Sequence, residues 1–316
     1  MRSLQWMLVA VALGLAVGCK WMETWGHKDP PRPTTPVLKA TPDQLVAYLN
    51  GQAGRLQTLT YADARVTSRE GLVTYPTLRG NLAASQPRNF RMTGQGGMVS
   101  AKLDLGSNTD QFWMYLDAPA VKPVFVFASH NDFETGRAKL PGNIPFEPDW
   151  VMQALGMTAF PDPADPKTTV KYDVKADEKA RTYTLSWPAT TPAGMAIRKE
   201  IVFDADDVSG ARPQVKRHLI KDAKGKVLCS AEVKAAKTVT LGAAEPRSGQ
   251  QPVVQYPTHV VLRWEEQKFE MDMSLDGSGA RVNQQLTPEQ SRQLFTRPTI
   301  TGTPAINLAE ARFDMK

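Results

Sequence analysis

Apolar and polar residues alternate along much of the middle of the chain. The clearest case is residues 89–117, where three segments carry apolar side chains at every second position. This is the period of a β-strand with one face turned inward. Glycine-containing segments at 95–97 and 106–108 separate the three and are short enough for antiparallel hairpins. The pattern therefore predicts an antiparallel sheet with one apolar face.

The same alternation continues over most of the remaining chain, and it is cleanest at 268–275. Ten or more successive strands with only two or three short helices predict a mainly β (α+β) fold. We expect a strongly curved antiparallel sheet, or incomplete β-barrel, with covering helices. Besides the segments above, strands are predicted at 59–66, 72–83, 122–128, 170–174, 182–187, 195–203, 214–221, 227–233 and 258–264.

Two helices are predicted from the same opening sequence. Thr41 and Thr287 are each followed by a proline and, three residues on, by a glutamine. This is the pattern of a capping box with proline at the first helical position. We expect the first of these helices to cover the sheet, with Leu45 and Leu49 on its buried side.

A third helix is predicted at 149–156, inside a proline-rich interruption of the strand pattern. Gly156 suits the position that ends a helix. Two interpretations remain open: a lid or plug over the apolar face, or a surface crossover helix pinned on the core. The candidate lid residues are Trp150, Val151 and Leu155.

The N-terminus has the layout of a secretory signal. Arg2 is followed by an apolar run at 8–17 and then by Gly18 and Cys19. The run is too short for a membrane-spanning helix, which needs ~20 apolar residues. We expect residues 1–18 to be a signal peptide and Cys19 to be the site of lipid attachment. An ordinary cleaved signal with a chance cysteine is the alternative.

The rest of the chain divides into three parts. Residues 19–40 are rich in proline and poor in apolar residues, so we expect an extended tether. Residues 41–300 form the predicted domain, and residues 301–316 are expected to be a loosely held tail. Cys229 is the only other cysteine, so a lipidated Cys19 leaves no intrachain disulfide and the domain must be held by its core.

Residue types that catalyse reactions or bind metals are not arranged in known site patterns. The four histidines are scattered without ligand spacing, and no serine lies in a Gly-x-Ser-x-Gly turn. The acidic segment at 204–215 has valine where a calcium loop requires glutamate. We therefore expect no catalytic residue, no metal and no cofactor, in a protein that is not an enzyme.

The net charge of +6 is spread along the strands instead of being clustered. No aromatic and basic motif for nucleic acid is present in the sequence, so nucleic acid is not an expected partner. Attraction to anionic membrane surfaces is the expected consequence of the positive charge.

Several segments of the chain form a recognisable series. They are the signal with Cys19, the early helix, Asn89 to Met92, Val202 to Asp204 with Pro213 to Val215, Asp222 with Gly225, and Tyr256 to Thr258 with Phe295. Together they resemble the bacterial Lol-type lipoprotein carrier superfamily, which includes the periplasmic carrier LolA and the outer-membrane receptor LolB. The resemblance covers roughly residues 41–298, and no individual ligand-binding residue of the family is carried over to this chain.

The resemblance implies an incomplete β-barrel whose concave apolar face, lidded by helices, takes up acyl chains. It also implies a cell-envelope protein whose partners are a membrane, through the lipid anchor, and lipoprotein acyl chains or other lipids. Lys20 directly after Cys19 resembles the sorting signal for the outer membrane, facing the periplasm. The function that the resemblance implies is a part in the localisation of lipoproteins to the outer membrane.

The candidate apolar-ligand face combines two groups of alternating residues. Flexible methionines in it would suit variable acyl chains, but methionine in a strand is more often core filling. A lipid-binding domain and a structural or interaction lipoprotein with a filled barrel therefore both remain open. The candidate residues are Leu103, Leu105, Phe112, Met114, Leu116, Phe269, Met271, Met273 and Leu275.

Overall fold

A single curved sheet forms the framework of the protein. The computed structural model describes residues 39–97, 101–118, 121–138, 148–205, 214–242, 252–275 and 279–311. Its strands are β1 (Thr58–Glu70), β2 (Val73–Thr74), β3 (Leu78–Ser85), β4 (Asn89–Gly96), β5 (Lys102–Ser107), β6 (Gln111–Ala118), β7 (Val121–Ser129), β8 (Asp173–Asp177), β9 (Thr182–Thr190), β10 (Ala196–Asp204), β11 (Val215–Asp222), β12 (Val227–Thr240), β13 (Val253–Trp264), β14 (Phe269–Leu275), β15 (Ala280–Val282) and β16 (Ile306–Asn307).

The strands follow one another across the sheet almost in chain order. The path is β16-β7-β6-β5-β4-β3-β1-β14-β13-β12-β11-β10-β9-β8, with β2 and β15 beside β1. The two halves join where β1 pairs antiparallel with β14, so that Val66 lies opposite Met273. In the described ranges β8 and β16 form the ends of this path and do not pair with each other. The predicted fold class, a curved antiparallel sheet that does not close, is confirmed.

The C-terminal segment corrects one expectation. The loosely held tail predicted from residue 301 is wrong for the described residues up to 311, because Ile306 and Asn307 pair parallel to β7. Leu308 is 2% exposed and its backbone N–H donates to the carbonyl of Phe127. The segment shows no strand periodicity, so only its place beside β7 reveals the pairing.

Four helices accompany the sheet in the described part of the chain: α1 (Pro42–Arg55), α2 (His130–Glu134), α3 (Pro148–Ala154) and α4 (Pro288–Phe295). Both predicted capping boxes, at the starts of α1 and α4, are confirmed. The buried side of α1 packs on β9 and β10, which covers that end of the apolar face. The residues in this contact are Leu45, Val46, Leu49, Tyr183, Leu185, Ile201 and Phe203.

Residues 37–316 make up one compact unit. The hydrophobic clusters found among the described residues all lie within it. This unit therefore carries its own hydrophobic core.

An ion pair holds α4 on the face of the sheet opposite to the main core. Asp104, which is 7% exposed, accepts hydrogen bonds from Arg91 at 2.7 Å and from the indole N–H of Trp113 at 2.9 Å. Arg91 also donates to the backbone carbonyls of Gln293 and Leu294 at the end of α4. One arginine thus joins two strands to a helix 202 residues away.

Replacing Asp104 with alanine should lower the free energy of unfolding by about 3 kcal/mol, because it leaves a largely buried guanidinium without its partner. Glu289→Ala is the matched control, since Glu289 and Arg292 form a pair that is mostly exposed and is expected to contribute less than ~1 kcal/mol. Denaturant unfolding of both variants measures the difference. Equal effects would contradict a structural role for the Asp104 pair.

Candidate apolar binding site

The candidate apolar residues lie on one face of the sheet but in two separate places. Strand register sets Leu103 opposite Leu116 and Leu105 opposite Met114. The second group lies on β14, and β4, β3 and β1 separate it from the first.

The register also shows that the intervening strands continue the same face. Leu105 lies opposite Met92, Met92 opposite Leu82, and Leu82 opposite Tyr61. A register shift in β1 between Tyr61 and Ala64 keeps the apolar side chains on this face, where Ala64 meets Leu275. We call this continuous surface the concave face.

The candidate residues differ in what covers them. Leu103, Met273 and Leu275 are buried in the main core cluster, and Leu105, Leu116, Phe269 and Met271 are partly buried against it. Phe112 and Met114 belong instead to a smaller cluster beneath α2. There the rings of Phe112 and Phe133 meet edge to face at 5.4 Å.

The concave face is filled in its centre by α3 and the residues that follow it, which we call the plug segment (residues 148–157). Trp150, Met152, Leu155 and Met157 are each at most 2% exposed and belong to the same cluster as Met273. The ring of Trp150 packs edge to face on Trp264 of β13 at 5.7 Å. The candidate lid residues Trp150, Val151 and Leu155 thus lie inside the main core.

Side chains, and not backbone pairing, attach the plug segment to the rest of the molecule. Where its backbone hydrogen bonds are described, they join residues of the segment to each other, as from Leu155 to Val151 and from Met157 to Met152. This differs from the strands, whose backbone groups pair along the whole sheet. Among the described residues, no strand ladder includes the plug segment.

Polar side chains hold the two ends of this region. Arg88, in the turn before β4, contacts Asp149 of α3 at 2.9 Å and Glu134 of α2 at 2.8 Å. Beyond the plug segment, the amide of Asn50 in α1 donates to the carbonyl of Phe160 and accepts from its N–H, at 2.9 and 2.7 Å. Sequence reasoning missed Arg88 and Asn50, because contacts across 61 and 110 residues leave no local pattern.

A small cavity of about 60 Å³ lies between α1, the end of the plug segment and β11 to β13. Its volume is far below the roughly 300–1,000 Å³ of typical ligand sites, so this cavity is too small to hold an acyl chain. His218 lines the cavity, and burial lowers the pKa of its imidazole to about 4, which makes it neutral at pH 7. The other polar lining side chains include Gln52, Gln153, Thr158 and Gln255.

The sequence also led to expectations about a lipid-attachment site, metal binding and membrane-spanning helices. Cys19 lies outside the described residues. Across the part of the chain that the structure describes, no group of three or more His, Cys, Asp or Glu side chains could hold a metal ion. A search of the same residues finds no helix long and apolar enough to cross a membrane.

Comparison with known proteins gives structural neighbours alone. No family model matches the chain, and no curated protein matches it. An outer membrane lipoprotein-sorting protein domain from Vibrio parahaemolyticus is similar with a TM-score of 0.47 and 11% identity, over 80% of this chain and 98% of that one. A DUF1329 family protein from Desulfovibrio piger has a TM-score of 0.46 and 13% identity, over 80% and 96% of the two chains.

A LolA superfamily protein from Nitrosomonas europaea is similar with a TM-score of 0.42 and 7% identity, over 82% of this chain and 99% of that one. Two of the three names belong to the group that the sequence resembles. With TM-scores below 0.5, these neighbours carry no argument about function, which rests on the residues of this chain.

Truncating Met273 to alanine should lower the free energy of unfolding by about 2–5 kcal/mol, because its side chain is 1% exposed and fills the core beneath the plug segment. Met195→Ala is the control, since Met195 is 41% exposed and should change stability by less than ~0.5 kcal/mol. Met271, which is only half-buried, should fall between them. Denaturant midpoints test this order, and a negligible effect at Met273 would mean that it lines an open cavity.

Proposed function

We propose that this protein is a lipid-anchored component of the bacterial cell envelope whose sheet binds acyl chains of lipids or lipoproteins. The ligand lies on the concave face, in the place that the plug segment occupies. The observation that carries this proposal is the way the face is covered. A short segment fills it with side chains, and no backbone hydrogen bond joins the segment to a strand among the described residues.

The hydrophobic free energies of the plug segment and of an acyl chain are close enough for one to replace the other. The four large apolar side chains of the plug segment, at ~1.5–3 kcal/mol each, contribute about 6–12 kcal/mol by leaving water. An acyl chain of about sixteen carbons would contribute about 13 kcal/mol on the same face, at ~0.8 kcal/mol per methylene. The two are of the same order, so the ligand can replace the plug without a large net loss.

The polar contacts that hold the plug segment are weak enough to open. The side chains of Arg88 and Asp149 are 34% and 33% exposed, and such partly solvated pairs contribute ~0–1 kcal/mol. Water can replace both partners when the segment moves, so no charge becomes buried. Arg88 therefore biases the closed arrangement without locking it.

A structural or interaction lipoprotein with a permanently filled interior is the second candidate function. The observation that favours it is the dense packing itself, since the cavity of about 60 Å³ is too small for an acyl chain. In this alternative the plug segment is an integral part of the core and never leaves the sheet.

Titration of the unit of residues 37–316 with a fluorescent fatty acid separates the two functions. We expect saturable binding that a lipopeptide competes, and a gain of up to about fivefold in affinity for Arg88→Ala, which loosens the plug segment. Arg65→Ala, which removes an exposed pair with Asp63 on β1, is the matched control and should bind as the wild type does. Absence of saturable binding in all three proteins would leave the filled structural lipoprotein.

The lipid anchor has its own test. Changing Cys19 to serine removes the thiol that would carry the lipid, so the protein should enter the soluble fraction or remain unprocessed. Cell fractionation and the mass of the mature protein measure both outcomes. A Cys19→Ser variant that stays with the membranes at the normal mature mass would exclude this anchor.

A further inference from the structure

The small cavity beside the plug segment has an unusual lining. Leu49, Leu155 and Phe160 supply apolar walls, and hydroxyl, amide and imidazole groups supply polar ones. Among the described residues, no aspartate, glutamate, lysine or arginine lines it. The described lining therefore combines apolar walls with uncharged polar groups.

Two side chains in this lining have hydrogen-bonding capacity that the protein does not use. The hydroxyl oxygen of Thr158 is buried and has no hydrogen-bond partner among the described residues. The hydrogen bonds found in the described ranges likewise include none from the imidazole of His218, which is 4% exposed. Buried polar groups are normally hydrogen-bonded, so a buried hydroxyl without a described partner, on a residue of the cavity lining, calls for an explanation.

The charge state of His218 limits what the cavity accepts. Burial lowers its pKa to about 4, so the ring is neutral at physiological pH and offers one N–H donor and one acceptor nitrogen. A carboxylate or phosphate in this cavity would be buried without a cation to pair with, which is strongly unfavourable. An uncharged carbonyl group would instead meet donors of matching strength.

The position of the cavity connects it to the concave face. Leu155 belongs both to the main core cluster and to the cavity lining, and Ala154 and Gly156 flank it there. A chain that replaced the plug side chains would therefore end next to Thr158 and His218. The volume of about 60 Å³ holds a group of a few atoms, while the chain itself lies on the concave face.

We propose that this cavity binds the uncharged carbonyl linkage of an acyl-chain ligand, an ester or an amide, with the Thr158 hydroxyl and the His218 imidazole as its hydrogen-bonding groups. The inference rests on the proposed acyl-chain binding. It adds that the protein recognises the polar linkage of the ligand as well as its apolar chain. A few ordered water molecules are the competing occupant, since the cavity has room for them.

Competition against a fluorescent alkyl probe on residues 37–316 tests the inference with four ligands of equal chain length: methyl oleate, N-methyl oleamide, oleate and octadecene. We expect the ester or the amide to bind about three- to tenfold more tightly than octadecene, the range of an uncharged hydrogen bond, and more tightly than oleate. A preference for the ester indicates a glycerolipid source, and a preference for the amide indicates an N-acylated one.

Thr158→Val, which keeps the size of the side chain, should remove this preference and leave octadecene binding unchanged. His218→Leu is the second variant, and its denaturant midpoint shows whether it remains folded. Thr240→Val, at an exposed position on β12, is the matched control and should keep the preference.

Equal binding of the ester, the amide and octadecene, unaltered by Thr158→Val, would overturn the carbonyl site, leave water as the occupant and keep the acyl-chain function intact. Tighter binding of oleate than of methyl oleate would overturn it as well, because the site would then recognise charge. Failure of all four ligands to bind would overturn both this inference and the proposed function.

Discussion

Burial of the concave apolar face is the constraint on which the rest of the structure depends. A sheet of this width with one apolar face and no closure cannot bury that face by itself, so other parts of the chain must cover it. Helix α1 covers β9 and β10, the plug segment covers the centre, and α2 with Leu308 covers β6 and β7. The order of the strands determines which part of the apolar face each of these segments covers.

The plug segment gives this constraint a functional meaning. Its side chains are apolar, as the methylenes of an acyl chain are. In the function that we propose, the free energy that stabilises the filled state is therefore the free energy that a ligand must exceed. The partly exposed ion pair of Arg88 with Asp149 lies at its start and contributes little to stability, and Asn50 binds the backbone of Phe160 just beyond its end. Thr158, whose hydroxyl has no described partner, directly follows the segment, so the two proposed binding contributions, apolar and polar, would lie next to each other.

The polar side chains that alternate with the apolar ones along the strands have a role of their own. Arg69 of β1 pairs with Glu270 of β14, which also contacts Arg263 of β13, and Arg263 contacts Glu232 of β12. The chain of ion pairs crosses four neighbouring strands at distances of 2.7–3.0 Å on the face away from the plug segment. Single exposed pairs contribute little, but a connected series fixes register while keeping that face hydrated.

Local sequence by itself determined the class of fold and the elements that depend on neighbouring residues. Alternation along Phe112 to Leu116 and Phe269 to Leu275 set which side chains share a face, and both threonine-proline helix starts formed as their capping chemistry requires. Such signals are local, because strand faces repeat every two residues and a capping box spans four. The tertiary structure alone decided that α3 fills the concave face and that Arg88 reaches Asp149. It also decided that Ile306 pairs with β7 and that Thr158 and His218 line the same cavity. Each of these depends on residues far apart in sequence that meet only after the sheet has curved, and no local period encodes such a meeting.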